Sequence, residues 1–305
     1  MANPMISDNW ADVLDPRFER IWNEEYEMHP DMIPMLYDMA PHNGRATQMY
    51  SGVSTIADFQ QFQGTVTYQD QALGYDSTAT FLEWVNGFAL ERKLRDDEQY
   101  GIWDDKPRAL AASAYRTRQG HGARMFNNAF SVDTLFYTNS EGVALCSNSH
   151  TTTTGASTAN GFDNLGTGSL TATEVRTNRI QMVNFRGMQA ERIQVTPDTL
   201  LIPPNLYGEA FEIVQSPGNP ENANNAANVH EGRYKIIEWN YLSDNNNWFM
   251  LDSSYARLML KWIDRIDLEH GFVEDFDTFQ LKYRAYMRYA NLWRDWRFVM
   301  GNQVS

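Results

Sequence analysis

The feature that most constrains this chain is a long segment near its carboxyl end in which apolar and polar side chains alternate. Apolar residues occupy every second position from Phe279 to Tyr289, and the positions between them are mostly Gln, Lys and Arg. A period of two is typical of a β-strand that buries one face and exposes the other. The segment therefore predicts one long, two-sided strand.

A second long element is predicted at residues 104–129, where apolar side chains recur at helical spacing. Asp104 or Asp105 can cap this helix, and Pro107 suits its first turn. Gly120 and Gly122 each weaken a helix by about 1 kcal/mol relative to Ala, so we expect a close packing partner or a bend there. One long helix beside long strands predicts the α+β class.

Residues 62–91 have the pattern of a long hairpin. The segment Thr65–Tyr68 alternates with period two, and a second strand places Leu82, Trp84, Phe88 and Leu90 on one face. The turn is predicted at residues 73–76. An isolated two-stranded ribbon is only marginally stable in water, so this hairpin must lie on its own chain or on a neighbouring subunit.

The remaining chain is predicted to contain an arm, two long loops and several short elements. Residues 1–50 are rich in Met, Pro and acidic residues and are predicted to be an arm with a helix from Pro16 to Met28, capped by Asp15. The loops are the Ser- and Thr-rich segment Ser147–Ser169 and the Asn-rich segment Ser216–Gly232. Helices are predicted at Leu170–Phe185 and Pro204–Gln215, and strands at Thr199–Ile202, Tyr234–Asn240, Trp248–Asp252 and around Leu258, Leu260 and Trp262.

Composition excludes several classes of protein. The 39 acidic and 25 basic residues give a net charge of −14, which argues against sequence-independent binding of nucleic acid through a basic surface. The sequence has one cysteine, Cys146, so it cannot form an internal disulfide, and a reducing compartment is expected. No apolar run reaches the roughly 18 residues of a membrane helix, and the first residues do not resemble a secretory signal.

A search of the sequence for chemistry yields no catalytic, cofactor or metal site. The six histidines are scattered, and the acidic pairs are better interpreted as helix caps and solvated turns than as the carboxylates of a glycosidase. His150, beside four threonines, is interpreted as a loop histidine that hydrogen-bonds locally. For Trp293 and Trp296, core or inter-subunit packing is favoured over a platform that stacks bases or sugars. A carbohydrate-active enzyme is kept only as a remote alternative.

Several segments, in order, resemble the major capsid proteins of tailed double-stranded DNA bacteriophages, which have the Hong Kong 97 fold. The segment Arg108–Phe130 resembles the long helix of that family, and Gly142–His150 is similar to the segment that follows it. The other matching segments are Leu200–Leu206 with Ala210, Asn224–Asn228, Ile236–Ser243 with Asp244, Trp248–Asp252, and Asp277-Thr278 to Trp293–Arg297. Together they extend from about residue 60 to about residue 300.

The resemblance implies an N-terminal arm, an extended β-hairpin called the E-loop, a P-domain with a long spine helix and long strands, and an axial A-domain. Transferred to this sequence, these are residues 1–60 (arm), 61–92 (E-loop), 93–135 with 256–305 (P-domain), and 136–255 (A-domain, with the Asn-rich loop 216–232 at the capsomer axis).

The resemblance also implies a function without catalysis or cofactor. Copies of the chain are expected to form pentamers and hexamers of an icosahedral head that encloses double-stranded DNA without sequence-specific binding. Expected partners are other copies, a portal, and scaffolding or decoration proteins; no membrane partner is expected. The expected location is the virion, after assembly in the bacterial cytoplasm. The main alternative is the shell of an encapsulin-like compartment, which has the same fold and encloses enzymes.

The sequence also nominates residues for contacts between subunits. They are aromatic or apolar residues of the predicted hairpin, amides of the Asn-rich loop, and two tryptophans near the carboxyl end. The residues are Tyr68, Leu73, Tyr75, Trp84, Asn224, Asn225, Asn228, Trp293 and Trp296.

Overall fold

The computed structural model describes residues 8–54, 56, 58–59, 61–66, 68, 71, 73–91, 100–218, 227–275, 277 and 280–304, with backbone alone at 8–17, 100–103 and 274. The chain divides into two compact units. The first unit consists of Met1–Met32, Leu82–His121 and Arg265–Tyr289. The second unit consists of Ile33–Phe81, Gly122–Asp264 and Ala290–Ser305.

The helices follow most of the predicted positions. They are α1 (Asp8–Glu27), α2 (Ile33–Leu36), α3 (Tyr100–Asn127), α4 (Ala172–Val183), α5 (Tyr207–Gln215, after a 3-10 turn at Pro204–Leu206) and α6 (Ser253–Met259). The predicted helices at 104–129, Leu170–Phe185 and Pro204–Gln215 are therefore confirmed as α3, α4 and α5.

The strands form three sheets. They are β1 (Asp38–Met39), β2 (Thr47–Tyr50), β3 (Ser77–Thr80), β4 (Leu82–Glu91), β5 (Tyr137–Asn139), β6 (Leu165–Gly166), β7 (Thr199–Ile202), β8 (Lys235–Glu238), β9 (Trp248–Leu251), β10 (Leu260–Asp275), β11 (Gln280–Trp293) and β12 (Val299–Asn302). The strand orders are β1-β10-β11-β4, β6-β12-β9-β7-β8 and β2-β3-β5.

The first unit is built on the long alternating strand. The apolar positions of β11 are buried in alternation, as the sequence predicts, and β11 pairs antiparallel with β4 from Gln280↔Glu91 to Tyr289↔Leu82. Helix α1 packs on the apolar face of these strands, where the ring of Phe18 stacks on Tyr283 with centroids 4.7 Å apart. The alternating pattern thus specifies a covered sheet face, and α1 supplies part of the cover.

The hairpin is formed by different strands from those that the sequence predicts. Residues 82–91 do form a strand, but it pairs with β11, whose alternating apolar face matches its own. The hairpin is made instead by β2 and β3, which pair from Thr47↔Thr80 to Tyr50↔Ser77, and a bridge between Val53 and Leu73 extends it. The predicted pairing of Thr65–Tyr68 with residues 82–90 is therefore wrong, and the arms of the hairpin are residues 47–53 and 73–80.

The second unit is built on the five-stranded sheet. All residues of β7, β9 and β12 are buried, because these strands lie in the interior of the sheet. The predicted strand Thr199–Ile202 is confirmed at its stated residues, and it pairs in parallel with β8. Continuous apolar runs are typical of strands covered on both faces.

Two predicted boundaries are wrong for local reasons. Helix α1 begins at Asp8, so Asp15 and Pro16 lie within the helix and not at its start. Leu258 lies in α6 and not in a strand, because Asp252 caps a helix there: its carboxylate accepts hydrogen bonds from the N–H groups of Ser254 (3.1 Å) and Tyr255 (3.0 Å). The strand begins only at Leu260.

Gly122 has the close packing partner that the sequence predicts. A Cβ at this position would lie 3.1 Å from Ile33 and 3.1 Å from the ring of Trp239. A Cβ at Gly120 would have no neighbouring atom within 4 Å, so packing explains Gly122 and does not explain Gly120.

Candidate assembly surfaces

The base of the hairpin is held by close backbone contact. The N–H of Gly52 donates to the carbonyl of Tyr75 (3.0 Å), and the N–H of Gly74 donates to the carbonyl of Gly52 (2.8 Å). A Cβ on Gly52 would lie 2.3 Å from the Tyr75 oxygen, so only glycine allows this approach. The two arms are therefore fixed against each other.

The hairpin base is also fixed to the rest of the second unit. The Ser77 hydroxyl donates to the carbonyl of Trp293 (2.8 Å), and the Asp76 N–H donates to the Ser140 hydroxyl (2.8 Å). The hydroxyl of Tyr75 lies 2.6 Å from that of Thr151. Tyr75, nominated for inter-subunit contact, thus has its hydroxyl engaged within the chain.

Beyond this base, the hairpin presents apolar side chains to solvent. Tyr68 is 91% exposed, Leu73 77% and Phe62 69%. Monomeric proteins rarely expose many large apolar side chains together, and such surfaces usually mark an interaction. The hairpin tip is defined here as the described residues between 53 and 73, and its other exposed apolar residues are Val53, Ile56, Phe59 and Val66.

The two nominated tryptophans near the carboxyl end are core residues. Trp293 is buried and its Nε1–H donates to the hydroxyl of Tyr137 (2.8 Å). Trp296 is buried under the imidazole of His150, with ring centroids 4.2 Å apart and planes 10° apart. Their nomination as inter-subunit contacts is therefore wrong, and the core packing that the sequence left open is what occurs. Trp84 is half-buried in the first unit, 4.2 Å from the His121 ring, and its contact with a neighbour stays a prediction.

His150 is a structural residue, as the sequence interpretation expects. Its Nδ1 lies 3.1 Å from Glu141 Oε1, and its Nε2 lies 3.1 Å from Asn164 Oδ1. The Asn164 amide donates to the carbonyls of Leu145 (2.8 Å) and Val299 (3.2 Å), which leaves its Oδ1 facing His150 Nε2. Both ring nitrogens are thus engaged within the chain. Sequence reasoning missed Glu141, because no spacing rule connects it with His150.

Asn228 joins the two ends of the Asn-rich loop by hydrogen bonds. This buried side chain donates to the carbonyls of Ile213 (2.7 Å) and Ser216 (2.8 Å) and accepts from the N–H of His230 (3.0 Å). Its amide is occupied within its own chain, so its nomination as an inter-subunit contact is wrong. Asn224 and Asn225 lie outside the described residues.

The arm is not free of its own chain. Phe18, Ile21 and Trp22 of α1 are buried within the first unit, so these apolar side chains of the predicted arm are covered by their own chain. The rings of Phe18 and Trp22 lie 5.8 Å apart and belong to the apolar core of the first unit. The hairpin tip is therefore the stronger candidate for an assembly surface.

Neither metal chemistry nor membrane insertion receives support from the described residues. In that part of the chain, no group of three or more His, Cys, Asp or Glu side chains could hold a metal ion. Among the same residues, no helix is long and apolar enough to cross a membrane. At the acidic cluster near residue 275, Asp275 forms an ion pair with Lys282.

Comparison with known proteins matches most of the chain to one family and one fold. Residues 74–300 match the family described as phage capsid protein. The capsid protein of bacteriophage JBD30 is 12% identical, with a TM-score of 0.53 over 71% of this chain and 92% of that chain. The mature capsid protein of bacteriophage PhiM1 is 9% identical, with a TM-score of 0.55 over 91% and 88%.

A third similar structure is the virus-like particle of Pyrococcus furiosus, at 8% identity and a TM-score of 0.52 over 94% of this chain and 98% of that chain. At these identities the likeness shows the fold alone. No curated protein sequence matches the chain significantly.

Proposed function

The chain belongs to the phage capsid protein family, and from that premise we propose that its copies form the pentamers and hexamers of an icosahedral head that encloses double-stranded DNA. The observation that carries this proposal is the hairpin tip. Its base is held rigidly by Gly52, Gly74 and Ser77, whereas Phe62, Tyr68 and Leu73 are exposed. A surface of this kind is expected to be covered in the working state of the protein.

Burial of the hairpin tip on a neighbour would supply the driving force for assembly. Each Å² of apolar surface removed from water contributes about 25 cal/mol. A specific interface usually buries at least about 1,000 Å² in total. The exposed aromatic and aliphatic side chains of the tip can provide a large part of that area. The tip therefore has the chemistry that contact between subunits requires.

The domain names of the fold are transferred to this chain as part of the proposal. The E-loop is assigned to residues 47–80, because the strand pairing there replaces the sequence-based boundary at 61–92. Helix α3 is assigned as the spine helix of the P-domain, and residues 136–255 as the A-domain. The Asn-rich loop is proposed to lie at the capsomer axis, where small polar side chains suit both five and six converging copies.

The proposal assigns DNA a passive role. With a net charge of −14, the chain is expected to contact the enclosed DNA weakly and without sequence preference. A portal and scaffolding or decoration proteins are proposed as further partners, and assembly is proposed to occur in the bacterial cytoplasm. The role is structural, which follows from the family, and no catalytic step is proposed.

An encapsulin-like compartment is the second candidate, because the similarity to solved capsid structures shows the fold alone and such compartments are shells of the same fold. Electron microscopy of the purified assembly, followed by analysis of its contents, separates the two. We expect icosahedral particles that hold double-stranded DNA when isolated from an infected host. Particles filled with an enzyme would favour the compartment, and the absence of any closed shell would contradict both.

A further inference from the structure

Three asparagines of this chain are followed directly by glycine: Asn43, Asn86 and Asn160. At such a pair the backbone nitrogen of the glycine can attack the side-chain amide before it, because glycine has no Cβ to hinder the approach. The product is a cyclic succinimide, which water opens to aspartate or isoaspartate. The reaction is favoured by a base for the proton of the nitrogen and by a hydrogen-bond donor to the oxygen that gains charge.

The turn at Asn43 and Gly44 is open to the water that this reaction consumes. It lies in the second unit between β1 and β2, and His42, Asn43 and Gly44 are all exposed. Gly44 has a φ of +75°, a conformation that glycine adopts readily, and a Cβ there would have no neighbouring atom within 4 Å. Nothing in the described part of the chain therefore crowds this side of the turn.

The imidazole of His42 is placed as the base. The N–H of Gly44 donates to His42 Nδ1 over 3.1 Å. A backbone N–H can only donate, so Nδ1 is the acceptor and carries the lone pair that takes the proton. A histidine within hydrogen-bond distance of the proton that it removes meets the geometric condition for general base catalysis.

The side chain of Asn43 is held over the peptide that attacks it. Its Oδ1 accepts from the N–H of Arg45 (3.0 Å), and its Nδ2 donates to the carbonyl of Thr47 (3.5 Å). The first of these bonds closes a ring that contains both Asn43 Cγ and the Gly44 nitrogen, the two atoms that react. The N–H of Arg45 also stabilises negative charge as it develops on Oδ1. The N–H of Asn43 donates to Gln48 Oε1 (3.1 Å), which fixes the backbone of the turn.

The other two pairs lack this arrangement. The N–H of Gly87 donates to Oδ1 of Asn86 (2.8 Å) and not to a base, and its strand β4 is held by pairing with β11. At the third pair, neither the N–H of Gly161 nor the side chain of Asn160 is hydrogen-bonded to another described residue. These two pairs therefore serve as controls within the same chain.

We propose that the chain modifies itself at Asn43, with His42 as the general base. His42 Nδ1 takes the proton of the Gly44 nitrogen, this nitrogen forms a bond to Asn43 Cγ, and the carbonyl electron pair moves to Oδ1. When the pair returns, the Cγ–Nδ2 bond breaks, and the amide nitrogen leaves as ammonia with the proton from His42. Water then opens the succinimide, so the sum is an amide and a water converted to a carboxylic acid and ammonia.

The product changes the segment that leads into the hairpin. A carboxylate lacks the N–H that Asn43 donates to the carbonyl of Thr47, the first residue of β2. It also adds a negative charge, and isoaspartate lengthens the backbone as well. The reaction happens once in each chain and needs no second copy, so it goes beyond the proposed assembly and is independent of it.

The first test uses the parent chain alone. The full chain is incubated at neutral pH in heavy-oxygen water and then digested in ordinary water, so that only conversions before digestion incorporate the heavy oxygen. Mass spectrometry follows the three Asn-Gly peptides over time. Asn43 is expected to convert about fivefold faster, or more, than Asn86 and Asn160. Conversion at Asn43 that is no faster than at Asn160 would overturn the proposal, whether or not the chain forms shells.

Two substitutions of His42 distinguish a base from a residue that only shapes the turn. His42→Ala removes the acceptor of the Gly44 N–H, whereas His42→Asn keeps an oxygen acceptor and lacks a basic nitrogen. Both are expected to slow conversion at Asn43 by about fivefold or more and to leave Asn160 unchanged. Because His42 is exposed, both variants should unfold at the temperature of the parent. Conversion of His42→Asn at the parent rate would show that His42 is not the base.

Discussion

The hairpin tip and the core of the second unit both carry large aromatic side chains, in opposite surroundings. Phe62 and Tyr68 project from the tip into solvent, whereas Trp293 and Trp296 are buried against His150, Tyr137 and the adjacent strands. The Nε1–H of Trp293 is hydrogen-bonded to Tyr137 within the chain, and the backbone groups at the base of the hairpin are hydrogen-bonded to each other. The contrast teaches that the same residue types serve the folding of one chain in the core and the association of several chains at the tip.

Replacing a core aromatic should have the largest effect on the stability of the separated chain. Trp296→Ala removes a buried ring that stacks on His150 and lies 5.1 Å from the ring of Phe185. We expect a loss of about 3–5 kcal/mol in the free energy of unfolding, measured by urea denaturation of dissociated chains. A loss below about 1 kcal/mol, as for an exposed residue, would remove the distinction between core and tip.

The buried polar cluster should come next. His150→Ala takes one hydrogen-bonding partner from Glu141 and another from Asn164, although the N–H groups of Thr151 and Ser147 remain with them. We expect a loss of about 1–3 kcal/mol, because a buried carboxylate is left with fewer partners. Glu141→Gln keeps the shape and one oxygen acceptor, so it should be less harmful in the same urea titration. If His150→Ala is neutral, the cluster does not stabilise the second unit.

A smaller effect is expected where packing alone changes. Gly122→Ala adds a methyl group 3.1 Å from Ile33 and Trp239, so crowding should outweigh the gain in helix propensity and destabilise the chain by about 1 kcal/mol. Gly120→Ala is the matched control two residues away, where nothing lies within 4 Å. That variant should be stabilised by up to about 1 kcal/mol. Thermal unfolding of the two variants should therefore move in opposite directions.

No covalent linkage is expected to reinforce the contact at the hairpin tip. An isopeptide bond from the hairpin to an asparagine of the next subunit would need a lysine in the hairpin, and no lysine occurs between Thr47 and Thr80 in this chain. On denaturing electrophoresis, mature particles should give a single band near 35.1 kDa. A ladder of covalent oligomers that survives boiling and reductant would show that association at the tip is not purely noncovalent.

Sequence patterns predicted elements better than they predicted partners. The alternation in β11, the apolar run of β7 and the helical spacing of α3 each depend on a local period, and each was confirmed. The predicted pairing of residues 82–91 with Thr65–Tyr68 is wrong. Strands β3 and β4 are nearly continuous in sequence, but β3 pairs with β2 and β4 pairs with β11, and no local period indicates this change of partner. Periodicity specifies which face of a strand is buried and leaves open which strand covers it.

The assembly residues show the same limit. An exposed apolar side chain and a buried one look alike in a sequence, so the sequence nominates Tyr68 and Leu73 together with Trp293 and Trp296. The family resemblance, which rests on an ordered set of segments, predicts the function, whereas no single residue does.

The most direct test of the role of the hairpin is to make its tip polar without touching its base. Phe59→Ser with Phe62→Ser should leave the unfolding of the separated chain unchanged within about 0.5 kcal/mol, since both rings are exposed. The same variant should fail to form closed shells when examined by sedimentation and electron microscopy, whereas the control Gln61→Ser with Gln63→Ser should assemble like the parent. Normal shells from the double phenylalanine variant would contradict the claim that the hairpin tip joins one subunit to the next.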